Sequence, residues 1–112
     1  MVKNYFIVNK DESIESIMQK ILINAHRTVL VVENKKLLGL ISEGDILKCL
    51  IYKKKLNATA STIMNKSFKF LNSKDMSLAK KIFKKYLCSV IPVVNSKMEL
   101  KDIITLEEFL SK

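Results

Sequence analysis

The residues best placed to do chemistry lie at 39–45, Gly-Leu-Ile-Ser-Glu-Gly-Asp. They run from an apolar stretch into a helix-forming one. Ser42 therefore stands where a helix N-cap would, with Asp45 three residues on. One reading of this Ser-x-x-Asp spacing is a capping box, in which side chain and backbone satisfy each other at a helix start, worth about 1 kcal/mol. The other is ligand chemistry. A helix start offers free N–H groups and positive potential to an anion. A short carboxylate in that first turn could take two vicinal ribose hydroxyls, and Gly39 would let a ligand approach the strand backbone closely. Thr105-Leu106-Glu107-Glu108 repeats the capping pattern.

Nothing beside these residues completes a catalytic set. His26 is the single histidine and has no second ligand at metal spacing. Cys49 and Cys88 are far apart, without metal-type spacing, and read as thiols of a reducing cytosol. Gly39 and Gly44, the only glycines, build no phosphate-binding loop. An enzyme needs a nucleophile–base pair or a metal set, so no activity, catalytic cofactor or metal is expected of this chain.

The elements that must position Ser42 and Asp45 come in a repeat. Residues 28–33, Thr-Val-Leu-Val-Val-Glu, recur in kind at 90–95, Val-Ile-Pro-Val-Val-Asn. A shift of 62 places Phe6 on Phe68, Ile14 on Met76, Ile17 on Ala79 and Val31-Val32 on Val93-Val94. After one extra residue in the second turn, a shift of 63 places Ile41-Ser42 on Ile104-Thr105 and Asp45 on Glu108. Two units are expected at 1–54 and 62–112, with 55–61 as linker. Each reads strand–helix–strand–strand–helix, an α/β (α+β) fold with a pseudo-twofold axis. In the first unit Tyr5–Val8 is a strand. Asp11 or Ser13 caps a helix carrying Ile14, Ile17, Met18, Ile21 and Leu22 at helical spacing. Thr28–Val32 is an apolar, β-branched run of the kind covered on both faces. Asn34-Lys35-Lys36 turns the chain into the strand Leu37–Ile41, and Ser42 opens a helix bearing Ile46, Leu47, Leu50 and Ile51.

Composition agrees with a globular domain. The chain has 112 residues, 48% hydrophobic and 28% charged, enough to bury a core without a staple. No apolar run approaches the roughly 18 residues of a membrane span, and the N-terminus has no signal-peptide pattern. The net charge is +9, carried by nineteen lysines and the single Arg27. Phosphate and base readers favour arginine for its bidentate fork, so a solvated lysine surface is expected. Binding of nucleic acid or another polyanion stands as the alternative function. Lys53-Lys54-Lys55 reads as a solvated helix end.

The repeat, the Val-Val before each turn and Gly-x-x-Ser-x-x-Asp into a helix resemble cystathionine-β-synthase (CBS) domains, two of which in tandem form a Bateman module. The run Ser-Glu-Gly-Asp-Ile-Leu-Lys (42–48), then Ile63-Met64-Asn65, Ile91-Pro92-Val93-Val94 and Asp102-Ile103-Ile104-Thr105 is further similar to CBS pairs N-terminal to sugar-1-phosphate nucleotidyltransferases, and to those attached to sugar-phosphate isomerases. The resemblance implies a cytoplasmic regulatory module that senses AMP, ADP or ATP, foremost AMP, in the cleft between the units. An attached or partner enzyme would answer to it. It implies a nucleotide site of Gly39, Ile41, Ser42, Asp45, Ser67, Cys88, Ser89, Val90 and Pro92. There Asp45 holds the ribose, Ser42 lies beside ribose or phosphate, and Val90 and Pro92 flank the base. His26 and Arg27 would face phosphates, or else form a solvent-facing helix end.

A pseudo-symmetric second site would use Tyr5, Thr28, Thr105 and Glu108. It is expected to stay empty. Glu108 is one methylene longer than Asp45, moving the carboxylate by about 1.5 Å against a tolerance of roughly 0.5 Å. Asp102 stands where the first unit has Gly39 and brings negative charge. A homodimer is expected because Leu22, Ile46, Leu50, Ile51, Leu87 and Phe109 exceed what a thin unit needs to bury.

Overall fold

The computed structural model describes residues 2–53 and 56–110. Lys54 and Lys55 of the lysine run lie outside the described residues, as do Met1, Ser111 and Lys112. The fold is mixed α+β, with helices and two small sheets. A 3-10 turn at Asn4–Phe6 leads into β1 (Ile7–Val8), and α1 (Ile14–Asn24) follows. The hairpin β2 (Thr28–Glu33) and β3 (Lys36–Ser42) comes next. Then come α2 (Glu43–Lys48), a π turn at Cys49–Lys53 and the short α3 (Ala60–Ile63). Helix α4 (Met76–Lys85), the hairpin β4 (Val90–Val94) and β5 (Leu100–Thr105), and α5 (Glu107–Leu110) complete it.

The two hairpins share a register. Thr28 pairs with Ser42 and Val31 with Gly39, then the register shifts after Val31. Val90 pairs with Thr105 and Val93 with Asp102, then the register shifts after Val93. Strand β1 adds to β2 in parallel through Ile7–Leu30 and Val8–Val31. The matching strand expected before α4 is reduced among the described residues to one bridge. The Leu71 N–H donates to Pro92 O at 3.0 Å and the Val94 N–H to Leu71 O at 2.9 Å. Tyr5 and Phe6, expected in the first strand, lie in the 3-10 turn instead.

Strand alternation sorts the apolar residues into three layers. Val29 and Val31 face α1 and α2, joining Ile14, Ile17, Ile21, Ile41 and Ile46. Leu30 on β2, with Val90 and Val94 on β4, faces a layer between the sheets that also holds Phe6 and Leu37. Ile91 and Val93 face α4 and α5, joining Ala79, Ile104, Phe83 and Phe109. This is why both strands are apolar on both sides: each is covered by helix on one face and by the other hairpin on the other.

Ser13 caps α1, accepting from the Ser16 N–H at 3.2 Å, so of the two expected caps it is Ser13 rather than Asp11. Only Ile14, Ile17 and Ile21 of the expected stripe are buried; Met18 is exposed, and Leu22 is 79% exposed. The helix packs on a sheet too narrow to cover the wider stripe. Of the other residues expected as surplus, Ile51 is exposed. Ile46 is buried, Leu50 packs on the same core, Phe109 packs on Phe83 and Leu87 lies in coil after α4.

Candidate functional site

Ser42 and Asp45 form the capping box. Ser42 Oγ accepts from the Asp45 N–H at 3.2 Å. Asp45 Oδ2 accepts from the Ser42 N–H at 2.9 Å and from its hydroxyl at 3.0 Å. The box uses one carboxylate oxygen. Asp45 Oδ1 takes no hydrogen bond from the described residues, and the side chain is half-buried. The locked oxygen fixes the rotamer and leaves the second aimed as an acceptor.

That carboxylate lines a cleft of about 800 Å³. One wall comes from the ends of the first hairpin and the start of α2: Arg27, Thr28, Leu40 and Ser42 to Asp45. The other comes from Asn65 and Ser67 to Lys69, from Tyr86 to Val90, and from Leu106. Of the residues named from sequence, the cleft brings together Ser42, Asp45, Ser67, Cys88, Ser89 and Val90, with Arg27 at its edge. Burial pushes the Cys88 thiol pKa up, which favours the neutral thiol there.

Three of the expected residues lie elsewhere. Ile41 is fully buried on the helix side of β3. Pro92 is buried in β4, paired with Ile103 and bonded through its carbonyl to Leu71. Gly39 serves another part of the chain. A Cβ there would stand 3.0 Å from Asn65 O and 3.0 Å from the Met64 side chain. Next to it Leu40 and Asn65 exchange backbone hydrogen bonds of 3.0 and 2.7 Å. The glycine admits a neighbouring strand segment where a ligand was expected.

The serine and threonine at the hairpin starts tie the two halves together. Ser89 Oγ donates to the His26 carbonyl and lies 3.3 Å from Thr28 Oγ1. Thr28, assigned from sequence to the second site, thus lines the main cleft. His26 does not line it. Its Nε2 lies 3.2 Å from Glu107 Oε1, and its ring stacks on Phe6 at 5.5 Å. Arg27 is 78% exposed and 3.9 Å from Glu43, so each of the two residues expected to face phosphates has a carboxylate neighbour.

A second hollow of about 650 Å³ is lined by Asn24 to Arg27, Ser89, Leu106, Glu107 and Leu110. Tyr5, Thr105 and Glu108 do not line it. Glu108 copies the capping contact, accepting from the Thr105 N–H at 2.7 Å through Oε2. Its other oxygen is also engaged. Lys74 Nζ lies 3.9 Å from Glu108 Oε1 and 3.6 Å from Asp102 Oδ2. The two carboxylates that set this half apart from the first therefore share one half-exposed lysine.

Sequence reasoning missed Leu40, Glu43, Gly44, Asn65, Phe68, Lys69, Tyr86, Leu87 and Leu106 as cleft residues. Phe68 carried a signal, since the repeat matches it to Phe6. Lys69 and Tyr86 carried none, because they meet only in the fold. Lys69 Nζ lies 4.5 Å from the Tyr86 ring centroid and Lys85 Nζ 5.6 Å from it. A hydrogen bond with Lys69, then the charges of Lys69 and Lys85, lower the Tyr86 phenol below its ordinary pKa. Among the described residues, no group of three or more His, Cys, Asp or Glu is placed to hold a metal ion, and no helix is long and apolar enough to cross a membrane.

Comparison with known proteins gives the fold its relatives. Residues 1–52 match the family model of the CBS domain. The whole chain superposes on a CBS domain protein from Pyrobaculum aerophilum complexed with AMP, with TM-score 0.81, 16% identity and coverage of 100% of this chain and 88% of that one. A CBS domain pair/ACT domain protein from Thermotoga maritima gives TM-score 0.76 at 15% identity, covering 98% and 88%. The cytosolic domain of the Mg²⁺ channel MgtE in complex with ATP gives TM-score 0.74 at 20% identity, covering 96% of this chain and 44% of that one. A search of the curated proteins finds none that matches the chain in sequence. At these identities the likeness establishes the fold.

Proposed function

We propose that this chain, whose residues 1–52 match the CBS domain, is a nucleotide-sensing regulatory module without catalysis of its own. It is a pair of CBS units at 1–54 and 62–112, joined by 55–61, that takes one adenine nucleotide in the larger cleft. The observation that carries this reading is Asp45: its Oδ2 is locked by Ser42, its Oδ1 is uncommitted among the described residues, and it lines a nucleotide-sized cleft. A carboxylate held this way suits a pair of vicinal hydroxyls. Leu40, Phe68 and Val90 offer the base apolar surface, and Ser67 and Cys88 stand on the far wall. The AMP and ATP complexes of two structural neighbours support the ligand class.

The cleft draws on segments from both halves of the chain, which is what a sensor needs. A ligand bridging them favours the arrangement in which both walls are in place. At about 100 times its dissociation constant it adds about 2.7 kcal/mol to that arrangement. An attached or partner enzyme, such as a sugar-nucleotide-forming nucleotidyltransferase of the cytoplasm, would read this out. The exposed apolar residues of α1 and of the π turn after α2 support a homodimer.

Calorimetric titration with AMP, ADP, ATP and an oligonucleotide tests the proposal. One adenine nucleotide is expected per chain. Asp45→Asn keeps size and much of the cap but loses the anionic acceptor. A charge-assisted contact worth about 1.5–3 kcal/mol makes that a loss of about 10- to 150-fold in affinity. Equal affinity of the wild type and Asp45→Asn, or binding of the oligonucleotide alone, would overturn the reading.

A further inference from the structure

The same cleft is lined by a lysine and a tyrosine that the ribose anchor does not use, with a second lysine just outside the lining. Lys69 reaches the cleft from the segment after Ser67, and Tyr86 from the C-cap of α4. The Lys69 ammonium lies 4.5 Å from the centre of the Tyr86 ring, with the Lys85 ammonium 5.6 Å from the same ring. Among the described residues neither lysine has a carboxylate within ion-pair distance, whereas Lys10, Lys20, Lys74 and Lys101 each do. Of the two residues first expected to meet phosphates, Arg27 lies largely exposed at the cleft edge, 3.9 Å from Glu43, and His26 is turned to Glu107 outside the cleft.

The plainest explanation of a lysine beside a helix end is the helix dipole. It covers Lys84 and Lys85, in the last turn of α4. It does not cover Lys69, which comes from another part of the chain and is brought to the same ring by the fold. Two ammonium groups within 4.5 and 5.6 Å of one ring centre concentrate positive charge there. The ring quadrupole offsets part of that, and an anion in the cleft beside Lys69 would offset more.

We propose that Lys69 is the phosphate-contacting residue of the cleft and Tyr86 its positioning residue, with Lys85 adding charge, so that the site discriminates a nucleotide from its free nucleoside. This rests on the nucleotide reading of the cleft. It differs from the sequence expectation in which cations bind phosphate and in adding an aromatic ring beside Lys69.

Titration of the full chain with adenosine and with AMP tests it. In the wild type AMP binds more tightly than adenosine. Lys69→Met is expected to weaken AMP by about tenfold or more, the scale of one charge-assisted contact, while adenosine changes less than about twofold. Tyr86→Ala is expected to weaken AMP by roughly two- to fivefold, the scale of an exposed cation–π contact. Tyr86→Phe keeps the ring but loses the phenol oxygen that bonds Lys69, so it recovers only part of that loss. Lys80→Met, on the exposed face of the same helix, controls for the general positive field. A loss of AMP affinity in Lys69→Met no greater than in Lys80→Met overturns this inference while leaving the Asp45 anchor standing. An equal loss for adenosine and AMP also overturns it. If neither ligand binds the wild type, the nucleotide reading falls and this inference with it.

Discussion

Replacing Gly39 by alanine separates two roles for one residue. If the glycine exists to admit a ligand, Gly39→Ala leaves the unliganded protein intact and weakens binding. The structure places a backbone oxygen, Asn65 O, and the Met64 side chain each 3.0 Å from the new Cβ. The thioether can swing away, but Asn65 O is fixed by the Leu40 N–H at 3.0 Å. Overpacking of this kind costs about 1–3 kcal/mol. For a chain of this size that is a fall in melting temperature of very roughly 4–12 °C. Thermal unfolding without nucleotide reads it directly. Met64→Ala in the Gly39→Ala background removes the side-chain clash and leaves the backbone one, so only part of the loss should return. Asn65 also lines the cleft, so affinity should fall as well, though less than in Asp45→Asn. Gly39→Ala with an unchanged melting temperature and a large loss of affinity would refute the packing argument and restore the glycine to the ligand.

Other expectations follow from particular contacts. Glu12 is 11% exposed. Burial raises its pKa, but the hydrogen bonds from Ser16, Lys20 and the Asn9 N–H outweigh that and lower it overall. Its contribution is therefore present above the unfolded pKa and lost as pH falls through the lowered folded value. Glu12→Gln should cost about 1–3 kcal/mol at neutral pH, with wild type and variant converging in chemical denaturation as pH drops below about 4; a gap independent of pH would refute it. Lys74 occupies the carboxylates of the second half, so calorimetry should give one nucleotide per chain, and two would show that this lysine is no barrier. Its ion pairs are half-exposed, so Lys74→Met should change stability by less than about 1 kcal/mol. Leu22 and Ile51 are exposed. Leu22→Asp with Ile51→Asp should give a 12.9 kDa species in sedimentation, and a wild type already of that mass at high concentration would remove the dimer.

Contacts that close between near neighbours were legible in the residues alone. Ser42-x-x-Asp45 made a capping box because its hydrogen bonds close within one helical turn. The runs at β2 and β4 became strands buried on both faces because β-branched residues without polar alternation have no solvent side to offer. The internal repeat carried the shared hairpin register, bulge included. Which residues share a space follows from the packing of the layers. Pro92 and Ile41 stand within a few residues of cleft positions, yet strand alternation turns them into packed layers. Gly39 faces Met64 and Asn65 because a segment 25 residues later pairs with the edge of β3. Lys69 meets Tyr86, and Lys74 meets Glu108, across 17 and 34 residues of chain. Such pairs leave no period or spacing to read. Their adjacency is set by how sheets and helices pack against one another, a property of the assembled layers that no short window of sequence contains.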